Sequence, residues 1–483
     1  MKKNVLALLL AVLLTGGSMF ACGTPAEQTD PAAETAAGET DTAAVETDYL
    51  QSLGERDFGG APFRYLILRT DAIPLLNPPG EETTGEPMND AQFNRDRKLM
   101  DLYNVVVEYP EYTDIAADLK NAVQAGDPLG DVYVDSLCDG LRNMGAAFTN
   151  GCLQDLNALP YLQLKQAWYS QLINQQLTYN DKLFFTSGDI AIASYIGPAC
   201  VYMNLNLAED YAIDADAVYE MVYDGSWTYD VLYGYYNGLD ADMNGDGKIE
   251  YKEDFYGMVN ETNDLTAALL LASCGVKMSE MEDGKMVVNM GSETVFNVVD
   301  KMNAYFDVVV GNELNTELYD NIYKNGRALF AVHYIESTIR RFRDMEDDYV
   351  ILPMPKYDLS QKTYVSYINP WTKSFLSIPI VLEDPEKTAF ITEAMAYESL
   401  QTVRPAVYDV TLKGKAARNE DCVAMIDIVF NTTYLDFNSI FNFGGSLAAA
   451  RAGIFADAGY ASEYAKIASG IEAALTDFAV NFE

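Results

Sequence analysis

Residues 242–253 carry the spacing of side chains that most clearly indicates chemistry in this chain. Side chains with oxygen donors stand at the first, third, fifth, ninth and twelfth positions, a glycine stands at the sixth, and the seventh would act through its backbone carbonyl. Because all the donors are oxygens, the pattern favours Ca²⁺ over zinc or copper. We therefore predict a structural calcium site of the EF-hand type, with helical flanks over 229–238 and 252–256. Its expected ligands are Asp242, Asn244, Asp246, Lys248, Glu250 and Glu253.

Cys22 is the second residue with evident chemistry, because it follows an export signal. Two lysines at the start precede an apolar run over 5–14, and small residues lead into Cys22. This layout is typical of a cleaved secretory signal, and the run is too short to span a bilayer. The junction resembles the lipobox at which a cysteine thiol receives a diacylglycerol. We predict a signal peptide over 1–21 and lipidation of Cys22; the alternative is an ordinary signal with an incidental cysteine.

The segment after this cysteine indicates a tether. Residues 22–57 begin with a long stretch of Ala, Thr, Glu and Asp that has almost no apolar bulk. Such a stretch cannot bury enough surface to offset its ordering entropy, so we predict a disordered linker. The protein is then expected on the extracellular face of the cytoplasmic membrane, held by lipid. Calcium is plentiful there, so we expect the solitary loop 242–253 to bind calcium as a structural ion and not to act as a calcium sensor. The alternative is an acidic turn without metal.

Composition excludes several classes of partner. The 483-residue chain has 72 acidic and 32 basic residues and a net charge of −40, which argues against nucleic acid and anionic lipid headgroups as ligands. Neutral ligands, cations and cationic peptides remain compatible with it. A single histidine, His333, argues against His-based catalysis and His-ligated metal. The cysteines beyond Cys22 are scattered and odd in number, so we expect buried free thiols.

The pattern of apolar residues predicts an α/β fold. Strands over 62–68, 105–107 and 131–135 alternate with helices over 90–103 and from 115 to just before Gly126, which implies a parallel sheet with right-handed crossovers. Ligands of such sheets bind beyond the carboxyl ends of the strands. About 430 residues remain after the signal and linker, which is enough for two lobes. Further predicted elements are strands over 182–185, 201–204 and 349–355, a largely helical stretch from the loop to 330, and helices over 384–400 and 460–478.

Seven short stretches resemble, in their order, a known family. They are FGGAPFR at 58–64, GD to DV over 126–132, YMN at 202–204, GSWT at 225–228 before the loop, GRALF at 326–330, LPMPKY at 352–357 and KGKAARNEDCVAMID at 413–427. Together they are similar to the bacterial extracellular solute-binding lipoproteins of ABC importers, in the carbohydrate-binding class that includes maltose-binding protein.

The resemblance implies a two-lobed periplasmic-binding-protein-like fold with a hinge and a ligand cleft between the lobes. Lobe 1 would hold 58–197 plus 353–402, and lobe 2 would hold 198–352 plus 403–483. The implied function is capture of a small solute, a sugar or oligosaccharide, by lobe closure and delivery to the transmembrane subunits of an ABC permease. The receptor would be a monomer and not an enzyme.

Candidate ligand residues lie at predicted strand ends and crossover loops. Sugar sites combine aromatic faces with carboxylates and amides that bind hydroxyl groups. In relatives of maltose-binding protein, the position of Tyr334 holds an aromatic residue that stacks on the sugar. For each candidate the alternative is packing in the core or on the surface, and Trp227 and His333 are interpreted as packing residues. The candidates are Ser136, Asp139, Asp189, Tyr195, Tyr334, Glu336 and Trp371.

Three other functions stay open at this point. A surface glycan-binding adhesin or sensor component would bind without transport, and a peptide-binding receptor would share the fold. A secreted glycoside hydrolase would need a pair of carboxylates flanking the scissile bond. The sequence singles out no such pair.

Overall fold

The computed structural model describes residues 49–69, 76–138, 143–250, 253–306, 316–408, 419–456 and 458–480. Cys22, the predicted signal peptide, Asp139 and most of the predicted linker lie outside these residues. Within them, no helix has both the length and the apolar character needed to cross a membrane.

The described strands form two four-stranded sheets and three short pairs. In chain order they are β1 (Ala61–Ile67), β2 (Val105–Glu108), β3 (Val132–Asp135), β4 (Thr178–Tyr179), β5 (Lys182–Leu183), β6 (Ala199–Asn204), β7 (Tyr256–Val259), β8 (Ser279–Glu282), β9 (Lys285–Val288), β10 (Ala328–Tyr334), β11 (Tyr349–Pro353), β12 (Ser366–Tyr367), β13 (Phe375–Ser377) and β14 (Thr433–Tyr434).

The helices surround these sheets. They are α1 (Tyr49–Ser52), α2 (Pro87–Tyr103), α3 (Ile115–Ala125), α4 (Met144–Thr149), α5 (Gln171–Gln176), α6 (Ala193–Ile196), α7 (Leu205–Asp210), α8 (Ala215–Asp224), α9 (Tyr229–Tyr236), α10 (Asp264–Ser273), α11 (Glu293–Tyr305), α12 (Glu336–Arg340), α13 (Pro385–Pro405), α14 (Glu420–Asn431), α15 (Phe437–Phe441), α16 (Ser446–Phe455) and α17 (Tyr460–Ala479). A π-helical segment, Thr316–Tyr323, precedes β10.

The first sheet is the predicted parallel one. β1 pairs in parallel with β2 on one side and with β3 on the other, and β13 adds an antiparallel strand next to β3. Both crossovers are helical. α2 begins at Pro87, before the predicted start, because the side chain of Glu86 accepts a hydrogen bond from Asn89 N and proline suits the first turn. α3 ends at Gly126, whose φ of 73° is the left-handed conformation expected at a helix end.

The second sheet has the order β11, β6, β10, β7. β6 is antiparallel to β10 and β11, while β10 is parallel to β7. All residues of β6 and β10 are buried, and the apolar residues of β6 alternate between two hydrophobic clusters, so both faces of this sheet are covered. With the first sheet it gives the two-lobed α/β fold predicted from the sequence. The lobe boundaries stay a prediction, and α17 contacts residues of both predicted lobes: Phe478 lies 5.9 Å from Phe148 between ring centroids, and Tyr460 lies 5.1 Å from Phe296.

Two predicted helical regions differ from the structure. The stretch from the loop to 330 is helical in α10, α11 and the π-helical segment, as predicted, but it also contains β7 and the β8–β9 hairpin, whose turn residues Asp283 and Gly284 have φ of 48° and 75°. An Asp-Gly pair suits such a turn, and a four-residue buried strand such as β7 gives no distinct period. The predicted helical flank at 252–256 is also wrong, because Phe255 forms an antiparallel bridge with Ala241 and β7 begins at Tyr256. The preceding flank is helical, as α9.

Burial in the hydrophobic core confirms two predictions, for Trp227 and for the cysteines. Trp227 is fully buried, and its Nε1 donates a hydrogen bond of 2.9 Å to the carbonyl oxygen of Pro353. The five described cysteines are buried and form no disulfide, as predicted; they are Cys138, Cys152, Cys200, Cys274 and Cys422.

Candidate ligand-binding site

Gly197 and Pro198 lead from the first part of the chain into β6 of the second sheet, and we call them the crossover 197–198. Parts of both sheets meet at this point. The N–H groups of Asn369 and Ile335 donate to the two carbonyl oxygens of the crossover at 3.0 and 2.9 Å. Leu137, just after β3, donates its N–H to the carbonyl oxygen of Pro370 at 2.8 Å. The end of β3, the end of β10 and the turn after β12 are therefore held together here.

Gly197 makes this close approach possible. A Cβ atom at this position would lie 2.8 Å from Thr372 Oγ1 and 2.9 Å from Ile368 Cγ2. A larger residue would push the turn 369–372 away from the crossover.

Trp371 presents its ring to solvent beside this crossover. Its side chain is 55% exposed, whereas Trp168 and Trp227 are buried. The side chain of Asn369 accepts a hydrogen bond of 2.9 Å from Trp371 N, and the carbonyl of Asn369 accepts one of 3.0 Å from Thr372 N. These bonds within the turn add to those that tie it to Gly197 and Leu137, and an exposed aromatic face is available to stack on an apolar ligand surface.

Tyr334 and Glu336 lie at the carboxyl end of β10. Tyr334 is 4% exposed, so its ring face is enclosed, while its buried hydroxyl has no hydrogen-bond partner. Glu336 opens α12 and is buried, with Oε1 3.9 Å from Arg340 Nη1. Burial raises the pKa of the Glu336 carboxyl, and the neighbouring Glu261 carboxylate raises it further. At the position where a stacking ring was predicted, the Tyr334 ring is covered by protein, and its hydroxyl is the group with unused hydrogen-bonding capacity.

Glu261 was not among the sequence candidates, although it lies at the same edge of the second sheet. It follows β7, the parallel neighbour of β10, and is 8% exposed. Asn263 Nδ2 donates to its Oε2 at 2.7 Å, but its Oε1 has no partner. The position at a strand end would have indicated it, had β7 been predicted.

His333 lies near Glu261 but carries no positive charge that could balance a charge on the Glu261 carboxyl group. Its Nε2 lies 3.9 Å from Glu261 Oε1, and its Nδ1 lies 2.7 Å from Ser337 Oγ. Burial, with Arg341 and Arg340 nearby, lowers the pKa of His333 to about 3. The imidazole is therefore neutral at physiological pH and packs against Tyr319, with ring centroids 4.2 Å apart.

Asp189 and Tyr195 form a second polar cluster on the segment before the crossover. Asp189 is buried, and its Oδ1 accepts hydrogen bonds from Tyr195 Oη at 2.9 Å and from Arg404 Nε at 2.7 Å. Its Oδ2 has no partner. Burial raises the pKa of Asp189 to about 6 although Arg404 opposes the shift. Arg404 lies far along the chain, at the end of α13, and no local sequence signal links it to Asp189.

Ser136 lies at the end of β3, and its main chain is committed to local structure. Its N–H donates to Asp135 Oδ1 at 2.8 Å, and its carbonyl accepts from Met144 N at 3.1 Å. Asp135 is buried, which raises its pKa, and it also accepts from Tyr133 Oη at 2.8 Å. Asp139, the other ligand candidate predicted after β3, lies outside the described residues.

The predicted calcium loop is exposed and stabilised by its own hydrogen bonds. Both carboxylate oxygens of Asp242 accept from backbone N–H groups, of Gly245 at 2.6 Å and Gly247 at 2.7 Å. Gly247, at the sixth position, has a φ of 83°. Asn244 Nδ2 donates to Glu253 Oε2 at 2.8 Å, which brings the third and twelfth positions together.

The other predicted ligands continue this arrangement. Asp246 Oδ1 accepts from Lys248 N at 2.9 Å, and Glu250 Oε1 lies 3.8 Å from Lys248 Nζ. The donor set contains only oxygens and fits a hard cation. Over the described part of the chain, however, no three His, Cys, Asp or Glu side chains are grouped closely enough to hold a metal. Calcium binding stays a prediction.

Two α/β sheets joined by a crossover, with aromatic and polar side chains gathered beside it, define the class of two-lobed binding folds. Residues 90–403 match the family model of the bacterial extracellular solute-binding proteins. The chain belongs to this family. Its role is accordingly that of a solute-binding receptor.

Three solved structures show the same fold at low sequence identity. A cyclic alpha-maltosyl-1,6-maltose binding protein from Arthrobacter globiformis has a TM-score of 0.60 at 11% identity, over 86% of this chain and 99% of that one. The GacH receptor of Streptomyces glaucescens, studied with acarbose, gives 0.53 at 12%, over 86% and 99%. An ABC substrate-binding protein of Listeria monocytogenes, in complex with cycloalternan, gives 0.52 at 13%, over 87% and 99%. Among the curated proteins, none matches this chain.

Proposed function

We propose that this protein is a lipid-anchored extracellular receptor that captures an uncharged sugar or oligosaccharide and delivers it to an ABC permease. Membership of the solute-binding family supports the receptor role. Lipidation at Cys22 would keep the receptor at the outer face of the cytoplasmic membrane, where the solute must be handed over. Binding by closure of the two lobes requires no chemical step.

The observation that carries the sugar assignment is that the turn with the exposed ring of Trp371 and the strand end with the unpaired Tyr334 hydroxyl are hydrogen-bonded, through Asn369 and Ile335, to the same crossover 197–198. Trp371 offers an aromatic face, and the Tyr334 hydroxyl and Glu261 Oε1 offer hydrogen-bonding capacity. Sugars present C–H faces and hydroxyl groups in alternation, so they satisfy both kinds of group. The oligosaccharides named for the three structural neighbours support the same class of ligand.

A ligand panel tests the assignment. Thermal unfolding of residues 49–483 would be followed with neutral oligosaccharides, monosaccharides and peptides. A ligand at a hundred times its dissociation constant adds about 2.7 kcal/mol to the free energy of unfolding, which raises the midpoint by a few degrees. A shift with oligosaccharides and no hydrolysis product supports the proposal. A shift with peptides alone contradicts the sugar assignment, and product formation contradicts the binding-only role.

Anchoring and delivery need separate tests. Labelling cells with a fatty acid should mark the wild-type protein but not the variant Cys22→Ser. If the wild-type chain stays unlabelled, the anchor proposal is wrong even when sugar binding holds. Uptake of the bound oligosaccharide should require both this protein and a permease, and uptake that persists without this protein would contradict delivery.

We also propose that loop 242–253 binds calcium as a structural staple. Its oxygen-only donor set supports this role, as does the contact between Asn244 and Glu253 that draws the ends of the loop together. The cation would stabilise the connection between α9 and β7 and would take no part in ligand binding.

A further inference from the structure

Two buried polar atoms at the carboxyl edge of the second sheet have no partner in the protein. Glu261 Oε1 follows β7, and the Tyr334 hydroxyl ends β10. Because β7 and β10 are parallel neighbours, their carboxyl ends meet at one edge, and ligands of α/β sheets bind beyond such edges. An unsatisfied buried polar group costs about 1–3 kcal/mol, so two of them at one edge need a reason.

The two groups are electrostatic neighbours. The carboxylates of Glu261 and Glu336 are both among the groups that raise the pKa of the Tyr334 hydroxyl. Ile335, next to Tyr334, is hydrogen-bonded to the crossover 197–198, and the same crossover holds the turn of Trp371. In the predicted division into lobes, Glu261 and Tyr334 belong to lobe 2 and Trp371 belongs to lobe 1. The crossover 197–198 links the Tyr334 strand end to the turn of Trp371.

We propose that Glu261 and Tyr334 form the hydrogen-bonding half of the ligand site and bind hydroxyl groups of an uncharged ligand. The carboxylate can only accept hydrogen bonds, and the phenol can donate as well as accept. A hydroxyl group meets both requirements, because it donates to Glu261 and accepts from Tyr334. This inference rests on the proposed sugar-receptor function and adds the residues that read the ligand.

The charges around the pair decide between ligand classes. Arg340 lies beside Glu336, and Arg341 Nη1 is paired with Asp320 Oδ2 at 2.6 Å. Three carboxyl groups, of Glu261, Glu336 and Asp320, therefore stand against these two arginines. A carboxylate or phosphate on the ligand would be placed against buried acidic groups and is disfavoured. A hydroxyl group needs no change of charge at the site.

The test compares Glu261→Gln and Tyr334→Phe with the exposed control Glu282→Gln. Affinity for the neutral oligosaccharide that gives the largest thermal shift would be measured by calorimetry. Loss of a hydrogen bond to a charged group should weaken binding by Glu261→Gln about 10- to 100-fold, and loss of the hydroxyl in Tyr334→Phe about 3- to 10-fold. Glu282→Gln should bind as the wild type does.

Stability without ligand separates a binding role from a structural one. Since Glu261 Oε1 has no partner in the protein, Glu261→Gln should not lower the unfolding midpoint of the ligand-free protein. A lower midpoint with unchanged affinity would make Glu261 structural and would overturn the inference. If Glu261→Gln does not fold, the carboxylate is required for the structure and the inference fails for Glu261, while Tyr334→Phe tests the hydroxyl alone.

Other outcomes distinguish this inference from the function on which it rests. If no neutral oligosaccharide binds the wild type, both fall. If one binds the wild type and both variants equally, only the assignment of Glu261 and Tyr334 falls. Tighter binding of a cationic amino-sugar oligomer than of its neutral N-acetylated form would overturn the choice of an uncharged ligand.

Discussion

Arg404 Nε lies 2.7 Å from Asp189 Oδ1 and ties the end of α13 to the segment that leads into the crossover. Arg404 Nη2 also donates to the carbonyl oxygen of Ala167 at 2.8 Å, so one guanidinium joins three parts of the chain. Asp189 is fully buried, while the Arg404 side chain is 35% exposed. The pair thus holds a buried carboxylate on the segment that leads into the crossover 197–198.

Removing the arginine should destabilise the protein. Arg404→Ala leaves the Asp189 carboxylate buried without its cation, and we expect the free energy of unfolding to fall by about 2–3 kcal/mol, since partial exposure of Arg404 tempers the usual cost. Urea denaturation measures this change. Arg97→Ala, which removes an exposed pair with Asp101 at 3.9 Å, should cost less than about 1 kcal/mol. Equal effects of the two variants would contradict a special role of Arg404.

Asp189 should also link stability to pH. Its pKa is raised to about 6 by burial, above the ordinary value of 3.8, so between these pH values the folded state binds a proton that the unfolded state lacks. Its contribution to stability is therefore full below about pH 4 and is lost as pH rises through about 6. Relative to Asp189→Asn, the wild type should gain up to about 3 kcal/mol between pH 7 and pH 4. Asp101→Asn, an exposed control, should show no such difference, and a flat difference for Asp189→Asn would contradict the shift.

Trp371 should matter for binding and not for folding. Because its side chain is 55% exposed, Trp371→Ala should leave the unfolding midpoint near that of the wild type. Loss of the stacking face should weaken oligosaccharide binding by about 10- to 100-fold. Ligand-induced change of tryptophan fluorescence should disappear too, because Trp168 and Trp227 are buried. Leu359→Ala, at another exposed apolar side chain, is the matched control, and unchanged affinity in Trp371→Ala would place the ligand elsewhere.

Calcium should stabilise the protein through loop 242–253. In millimolar Ca²⁺ the unfolding midpoint should exceed the midpoint in chelator, and Glu253→Gln should remove the difference by taking away the closing carboxylate. Glu282→Gln, on the exposed end of β8, should retain the full difference. Equal midpoints in calcium and chelator for the wild type would leave the loop as an acidic turn.

Much of the first lobe was predictable because its signals are local. Alternating strands and helices from β1 to β3 gave the parallel sheet, and Gly126 marked the end of α3. The second sheet was only partly predictable, because β7 has four residues and all are buried. Missing β7 also hid Glu261, whose position at a strand end becomes visible only when the strand is placed beside β10.

The sequence by itself determined the features that depend on spacing within a short segment. These are the burial of Trp227 and the order of motifs that resembles the solute-binding family; the signal peptide over 1–21 and the oxygen ligands of loop 242–253 depend on such spacing too and stay predictions. Only the tertiary structure decided which distant groups meet. Arg404 reaches Asp189 across 215 positions of the chain, and Glu261 lies at the same sheet edge as Tyr334 through the pairing of β7 with β10. The physical reason is that burial and charge pairing depend on the packing of separate elements, which no local pattern encodes.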